Sequence, residues 1–358
     1  MKVLIEDSIQ LLQQLIKTPS FSKEEEQTAD LIADFLVQKG IAISRKGNNI
    51  WAKSLHWDEQ KPTILLNSHH DTVKIVNGWT QDPFGASLEN GQLFGLGSND
   101  AGGCLVSLMA CFLHFRERKG LAFNLLFAAS AEEEISGAKG IASIIEELRP
   151  IDLAIVGEPT QMQMAIAEKG LMVIDGIAEG QAGHAARDEG INALYIALDD
   201  IARLRKMKFD KTSDQLGPVK VSITQIQAGH QHNVVPDQCS FVIDVRTNEC
   251  YSNAEVFQIL QSKVQSTLKA RSFRLNSSGI ALDHPFVQTG IQRGHRYFGS
   301  PTLSDQALMP FTSIKIGPGD SARSHTADEY IWLSEIENGI HQYISLLTTY
   351  DQNLKSIA

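Results

Sequence analysis

The 358-residue sequence has only four cysteines, Cys104, Cys111, Cys239 and Cys250, and no Cys-x-x-Cys pair. A disulfide scaffold and a thiolate zinc cluster are therefore excluded. Cys104 and Cys111 lie seven apart in a segment that reads as one helix, so they face the same way and are expected as reduced, packed thiols. Basic blocks are missing too: 32 Lys and Arg against 42 Asp and Glu leave a formal charge of −10. The counterion release that drives nucleic-acid binding has no source here. No apolar run approaches the length of a membrane span, and Glu6 and Asp7 stand where a secretory leader needs an apolar core. A cytoplasmic protein with neither nucleic acid nor membrane as partner is expected.

What is present is ordinary globular composition, with 42% apolar and 21% charged residues. The length exceeds what one hydrophobic core organises, so two domains are expected. Ser22-x-x-Glu25 reads as a capping box for a helix in which Ala29, Ile32, Ala33 and Leu36 recur at helical spacing until Gly40. Short apolar runs at 63–67, 123–129 and 153–156 read as buried strands, with helices predicted at 104–118 and 138–148. Alternating strands and helices predict an α/β fold, a mixed sheet with helices on both faces. From 169 to 280 the texture changes: a strand, a helix at 191–206, strands at 219–227 and 240–246, a helix at 254–269 and a last strand. This is a split βαβ pattern, an α+β (βαββαβ) domain inserted between a first part, 1–168, and a second part, 281–358, of the main domain. In the second part a strand at 312–316 and a helix at 333–348 are predicted.

The polar residues fall where the strands end. The first run leads into His69-His70-Asp71, the second into Glu132-Glu133-Glu134, the third into Gly157-Glu158-Pro159, and the strand at 312–316 into Gly317-Pro318-Gly319-Asp320 and then His325. Asp100 sits in a Gly-rich turn just before a helix. Open α/β sheets bind ligands at the carboxyl ends of their strands. Taken singly, each segment is as readily a turn, a cap or a solvated first turn; together they deliver His or carboxylate to one crevice. Carboxylates gathered there repel one another unless cations neutralise them. Two His and three carboxylates suit zinc or a neighbouring ion, and five ligands exceed one tetrahedral site, which points to two ions sharing a carboxylate.

These motifs, in order from Ser68 to Glu329, resemble the aminoacylase, acetylornithine deacetylase and succinyl-diaminopimelate desuccinylase family, which also includes carboxypeptidase G-type peptidases. The resemblance implies two divalent ions per subunit, zinc or cobalt, with His69, Asp100, Glu134, Glu158 and His325 as ligands and Asp100 as the bridge. It implies Asp71 as the carboxylate orienting His69 and Glu133 as the general base. A slip of one residue would make the glutamate pair Glu132 and Glu133; the later register is preferred because Gly137-Ala138 then follows at the family's spacing. In the inserted domain, a lid that pairs two subunits in the family, Gly183-His184-Ala185 resembles the histidine that reaches the reacting carbonyl of the partner subunit of a homodimer. Asn233 and Arg246 resemble the lid's substrate-binding pair, with the guanidinium on an α-carboxylate. The segment around His325 is similar to the arginine-biosynthesis branch, which implies an N-acylated ornithine or citrulline as the small-molecule substrate. Arg187 and Arg323, beside His184 and His325, add cations that a succinyl group would use and an acetyl group would not. A di- or tripeptidase on the same scaffold, or a non-catalytic relative, are the competing readings.

Overall fold

The computed structural model describes residues 1–187 and 189–357. It divides into two compact units: Met1–Ile166 with Gly279–Phe298 and Ser304–Ala358, and Ala167–Ser278 with Gly299–Leu303. Among the described residues no helix is long and apolar enough to cross a membrane.

The first unit is built on a mixed sheet, and the four strands that matter for the site are parallel. Asn124–Ser130, Thr63–His69, Leu153–Val156 and Ser313–Lys315 lie side by side in that order and end on the same edge. Their side chains alternate between two apolar layers. Ile64, Leu66, Leu125 and Phe127 enter one layer, with the helices Lys2–Lys17, Gly103–Phe115 and Leu333–Ile357; Leu65, Leu126 and Ala154 enter the other, with Ile141, Ile145 and Leu148. All four strands are buried along their whole length, as both-face coverage requires.

Several predicted elements differ in instructive ways. The capping box does not form: the Ser22 hydroxyl donates to Asp71 Oδ2 at 2.7 Å, and the helix begins at Glu26. Glu25, fully buried, instead accepts from the backbone N–H of Lys23 (2.5 Å) and Glu132 (3.3 Å) and from Asn48 Nδ2 (3.0 Å). The helix predicted at 138–148 is reduced to a 3-10 turn, Ile141–Ser143, and one α-turn, Ile145–Leu148. Gly140 lies so close to Ala131 that a Cβ there would stand 2.3 Å from the Ala131 carbonyl oxygen, and its φ, ψ of −77°, −147° is not helical. The final helix, conversely, runs on to Ile357, because Tyr350 packs against Phe123 and Phe286.

The second unit is a four-stranded antiparallel sheet in the order Lys220–Ala228, Gln238–Thr247, Gly170–Glu179, Thr267–Ala270, with the helices Ala193–Lys206 and Asn253–Gln261. The helix expected to reach 269 stops at Gln261. The fully buried Asp200 carboxylate accepts the backbone N–H groups of Gln265 (3.0 Å to the nearer oxygen) and Ser266 (2.8 Å), so these amides leave the helical ladder and the chain turns into a strand. All four cysteines are free thiols.

Glu25 joins the start of a helix to the loop that bears the glutamates. Glu25→Ala leaves several buried donors unpaired and is expected to lower stability by about 1–3 kcal/mol, read from the urea unfolding midpoint.

Candidate metal centre

At the shared edge of the four parallel strands the side chains converge. His69 ends the Thr63–His69 strand and is buried. Its Nδ1 lies 2.9 Å from the Asp71 backbone carbonyl, which can only accept, so that nitrogen carries the proton and Nε2 presents its lone pair in the neutral ring. Nε2 is buried without a hydrogen-bond partner, and Asp100, Glu158 and Glu133 stand 3.4, 3.8 and 3.9 Å away. Asp100 lies in a kinked five-residue turn, Ser98–Gly102, that feeds the helix Gly103–Phe115. His325, at a positive φ of 59°, brings its Nε2 to 2.9 Å from Glu134 and 3.5 Å from Asp100.

Of the glutamate triplet, Glu133 and Glu134 face this cluster. Glu132 turns away at a φ of 53° and accepts from the Lys139 backbone N–H at 3.1 Å. Asp71 stands beside His69, as the resemblance implies, and also reaches the glutamate loop. Its carboxylate is 3.5 Å from His69 Nδ1, and it accepts from the backbone N–H groups of Glu133 (3.0 Å) and Glu134 (3.2 Å). The carbonyl and the carboxylate of Asp71 both face His69 Nδ1, and the carboxylate also fixes the two glutamates.

Electrostatics show what the cluster lacks. Burial alone would lower the pKa of His69, but Glu133, Asp100, Asp71 and Glu158 raise it well above its ordinary value. Burial, with Asp100 and Glu134 nearby, pushes Glu158 up to about 8, and burial likewise holds Glu133 well above the carboxylate range. The hydrogen bond to Glu134 lifts His325 to about 9. Burial and mutual repulsion thus disfavour the charged forms of these carboxylates, a cost that divalent cations would offset. An orphaned imidazole nitrogen within 4 Å of three carboxylates, with no thiolate among the donors, fits zinc or a similar ion. Cys104 is close by but donates its thiol to the Pro318 carbonyl, and burial raises its pKa well above normal.

Sequence reasoning gave no role to three residues that shape the centre. Glu329, buried, accepts from Gly97, Asn99 and Asp100 N–H, and burial with Asp100 beside it pushes its pKa up to about 8. Asn99 pairs through its side chain with both the N–H and the carbonyl of Asp320. His70 has both ring nitrogens engaged, by the Thr28 hydroxyl and the Asn48 carbonyl, each at 2.9 Å. The one signal for Glu329 was its position four residues beyond His325.

Arg323 requires a correction. Its guanidinium is not available to a substrate: it forms a bidentate pair with Glu335 (2.6 and 2.9 Å), donates to the Tyr330 carbonyl (3.2 Å) and stacks on the Tyr330 ring. It clasps the segment before His325 to the last helix. The other expected substrate contacts, His184, Arg187, Asn233 and Arg246, belong to the second unit. There His184 pairs with Val234 in a two-residue ladder and the Asn233 carbonyl accepts from Ala185 N–H, so the two lie together. Arg187 is exposed, 3.7 Å from Glu189, and Arg246 has its fork held by Asp244 at 2.9 and 3.1 Å. His230 lines a cavity of about 690 Å³ in the same unit.

Comparison with known proteins identifies the family. The description of peptidase family M20/M25/M40 matches residues 65–349. The chain belongs to that family. Membership makes it a metal-dependent amidohydrolase with an α/β fold. An acetylornithine deacetylase from Proteus mirabilis is 27% identical across 94% of this chain and 95% of its own. A succinyl-diaminopimelate desuccinylase from Ruegeria is 26% identical across 70% of this chain and 67% of its own. Among solved structures, the YXEP protein of Bacillus subtilis, described as a dinuclear metal-binding peptidase of the M20 family, superposes with a TM-score of 0.75 at 18% identity, covering 98% of each chain. Aminopeptidase PepT from Bacillus cereus gives 0.76 at 17% identity, with 97% of this chain and 98% of that one covered.

If Arg323 is a clasp, it and Glu335 are energetically coupled. A double-mutant cycle of Arg323→Ala and Glu335→Ala in thermal unfolding is expected to give a coupling of about 1–3 kcal/mol; additive single-mutant effects would free Arg323 for another role.

Proposed function

We propose that this chain hydrolyses the N-acyl amide of an amino acid, with N-acetyl- or N-succinylornithine or the citrulline counterparts as substrate in arginine biosynthesis, and that two divalent ions, zinc or cobalt, serve the reaction. The observation that carries the reading is the double orientation of Asp100, whose Oδ1 faces His69 Nε2 at 3.4 Å while its Oδ2 faces His325 Nε2 at 3.5 Å. One carboxylate addressing two imidazoles supports a shared ligand, with His69 and Glu158 completing one side and Glu134 and His325 the other. When bound, such ions polarise the scissile carbonyl and acidify the attacking water.

The protein's own groups do the rest. Glu133 carries the proton: its carboxylate takes a proton from water as that oxygen bonds to the amide carbonyl carbon, and returns it to the amine as the C–N bond breaks. Asp71 keeps that carboxylate aimed by accepting the Glu133 N–H. His184 accepts the Ala186 N–H at Nδ1, so its neutral ring carries the proton on Nε2, the form that can donate to a developing oxyanion. Asn233 and Arg246 are assigned to the substrate's polar groups, and an α-carboxylate at Arg246 would compete with Asp244 for the fork. With Arg323 committed elsewhere, Arg187 remains as the cation for a succinyl carboxylate. The strand Lys220–Ala228 is a largely exposed edge of its sheet, and Tyr195 and Leu198 are exposed on the helix Ala193–Lys206; these support a homodimer contact through the second unit.

A hydrolysis screen with added zinc or cobalt tests the reading. Turnover is expected on N-acetyl- and N-succinyl-ornithine and -citrulline, and none on di- or tripeptides with a free α-amine; the reverse pattern would make the chain a peptidase. Glu133→Gln is expected to retain metal while kcat falls by about 10²–10⁴-fold, and a rate near wild type would remove Glu133 from the proton-carrying role.

A further inference from the structure

We propose that Glu329 is the positioning residue that sets Asp100 in its two-sided orientation, an inference that rests on the reading of Asp100 as the shared ligand. The argument begins with the backbone of the turn that carries Asp100. Gly97 is left-handed at a φ of 78°, and Asp100 (φ −118°, ψ 97°) and Ala101 (φ −120°, ψ 31°) leave the helical region altogether. A chain so bent cannot pair all of its own amides. Ser98 N–H finds the Gly95 carbonyl, Gly102 N–H the Gly97 carbonyl and Gly103 N–H the Ser98 carbonyl. Among the remaining amides are those of Gly97, Asn99 and Asp100, and buried amides require acceptors.

Glu329 supplies all three. Its Oε1 accepts from Asn99 N–H at 2.8 Å and Asp100 N–H at 2.9 Å, and its Oε2 accepts from Gly97 N–H at 3.2 Å. Both oxygens are therefore occupied by the backbone, which makes Glu329 a support for Asp100 and not a further ligand. The choice of a carboxylate follows from the donor count: two acceptor oxygens reach three N–H groups, whereas an amide would offer one oxygen and set an NH₂ against a third N–H. Glu329 is also fixed from behind, since its own carbonyl accepts from Gly95 N–H at 2.9 Å. Removing the carboxylate leaves these three amides without acceptors and loosens the backbone that aims the Asp100 oxygens at His69 and His325.

The test compares wild type, Glu329→Gln and Glu329→Ala by titrating the metal-free proteins with cobalt(II), reading stoichiometry, affinity and the visible d–d absorption, together with thermal unfolding of each metal-free form. Wild type is expected to take two ions. Both variants are expected to lose affinity by about 10–100-fold, Ala more than Gln, with an altered d–d band. A merely structural role would lower the melting temperature without moving affinity or the band, and that result overturns the proposal while leaving the two-ion reading intact. Wild type that binds fewer than two ions overturns both. Should the Ala variant fail to fold, hydrogen exchange on metal-free wild type still decides: slow exchange across residues 95–103 is expected, and rapid exchange there overturns the proposal.

Discussion

Everything at this centre depends on gathering anions where water cannot screen them. Asp100, Glu133, Glu134 and Glu158 meet at one edge of the sheet, with the imidazoles of His69 and His325 among them. Such a group is unstable unless positive charge is added, and the upward shifts of Glu133, Glu134 and Glu158 show how far burial has been pushed. The same crowding that makes the site costly in the absence of cations makes it avid for them.

The fold holds this arrangement through backbone amides more than through side-chain contacts between ligands. Three further buried carboxylates each collect N–H groups from a ligand-bearing loop: Asp71 from Glu133 and Glu134, Glu25 from Glu132, and Glu329 from the Asp100 turn. Loops at strand ends have few neighbours to pair with, so an anionic acceptor lodged beneath them does the work that a ladder does inside a sheet. Asp100 and Glu134 thus have their backbones secured independently of any ion.

The same habit explains where sequence reasoning and structure part. Ser22 and Glu25 have the spacing of a capping box, yet both side chains are drawn to the site, Ser22 to Asp71 and Glu25 to the Glu132 loop. Arg323 stands two residues from His325 and so invites a substrate role, but a carboxylate twelve residues further on, at Glu335, is nearer in space. Asp200 ends the predicted helix at 254–269 early for the same reason: its acceptor oxygens compete with the helical ladder for the amides of Gln265 and Ser266. These are long-range pairings, and no local pattern encodes them.

What the amino-acid sequence determined by itself was the set of parallel strands and the chemistry at their ends, because apolar runs of strand length and the polar residues that follow them are local properties. His69, Asp100, Glu133, Glu134, Glu158 and His325 were all legible in that way, and the structure brings them together. Only the tertiary structure decided which glutamates of the triplet face inward, which carboxylates act as ligand candidates and which as backbone anchors, and which arginine is committed to a clasp. Those distinctions turn on distances of a few ångströms between residues as much as 232 positions apart, and such distances exist only once the chain has closed on itself.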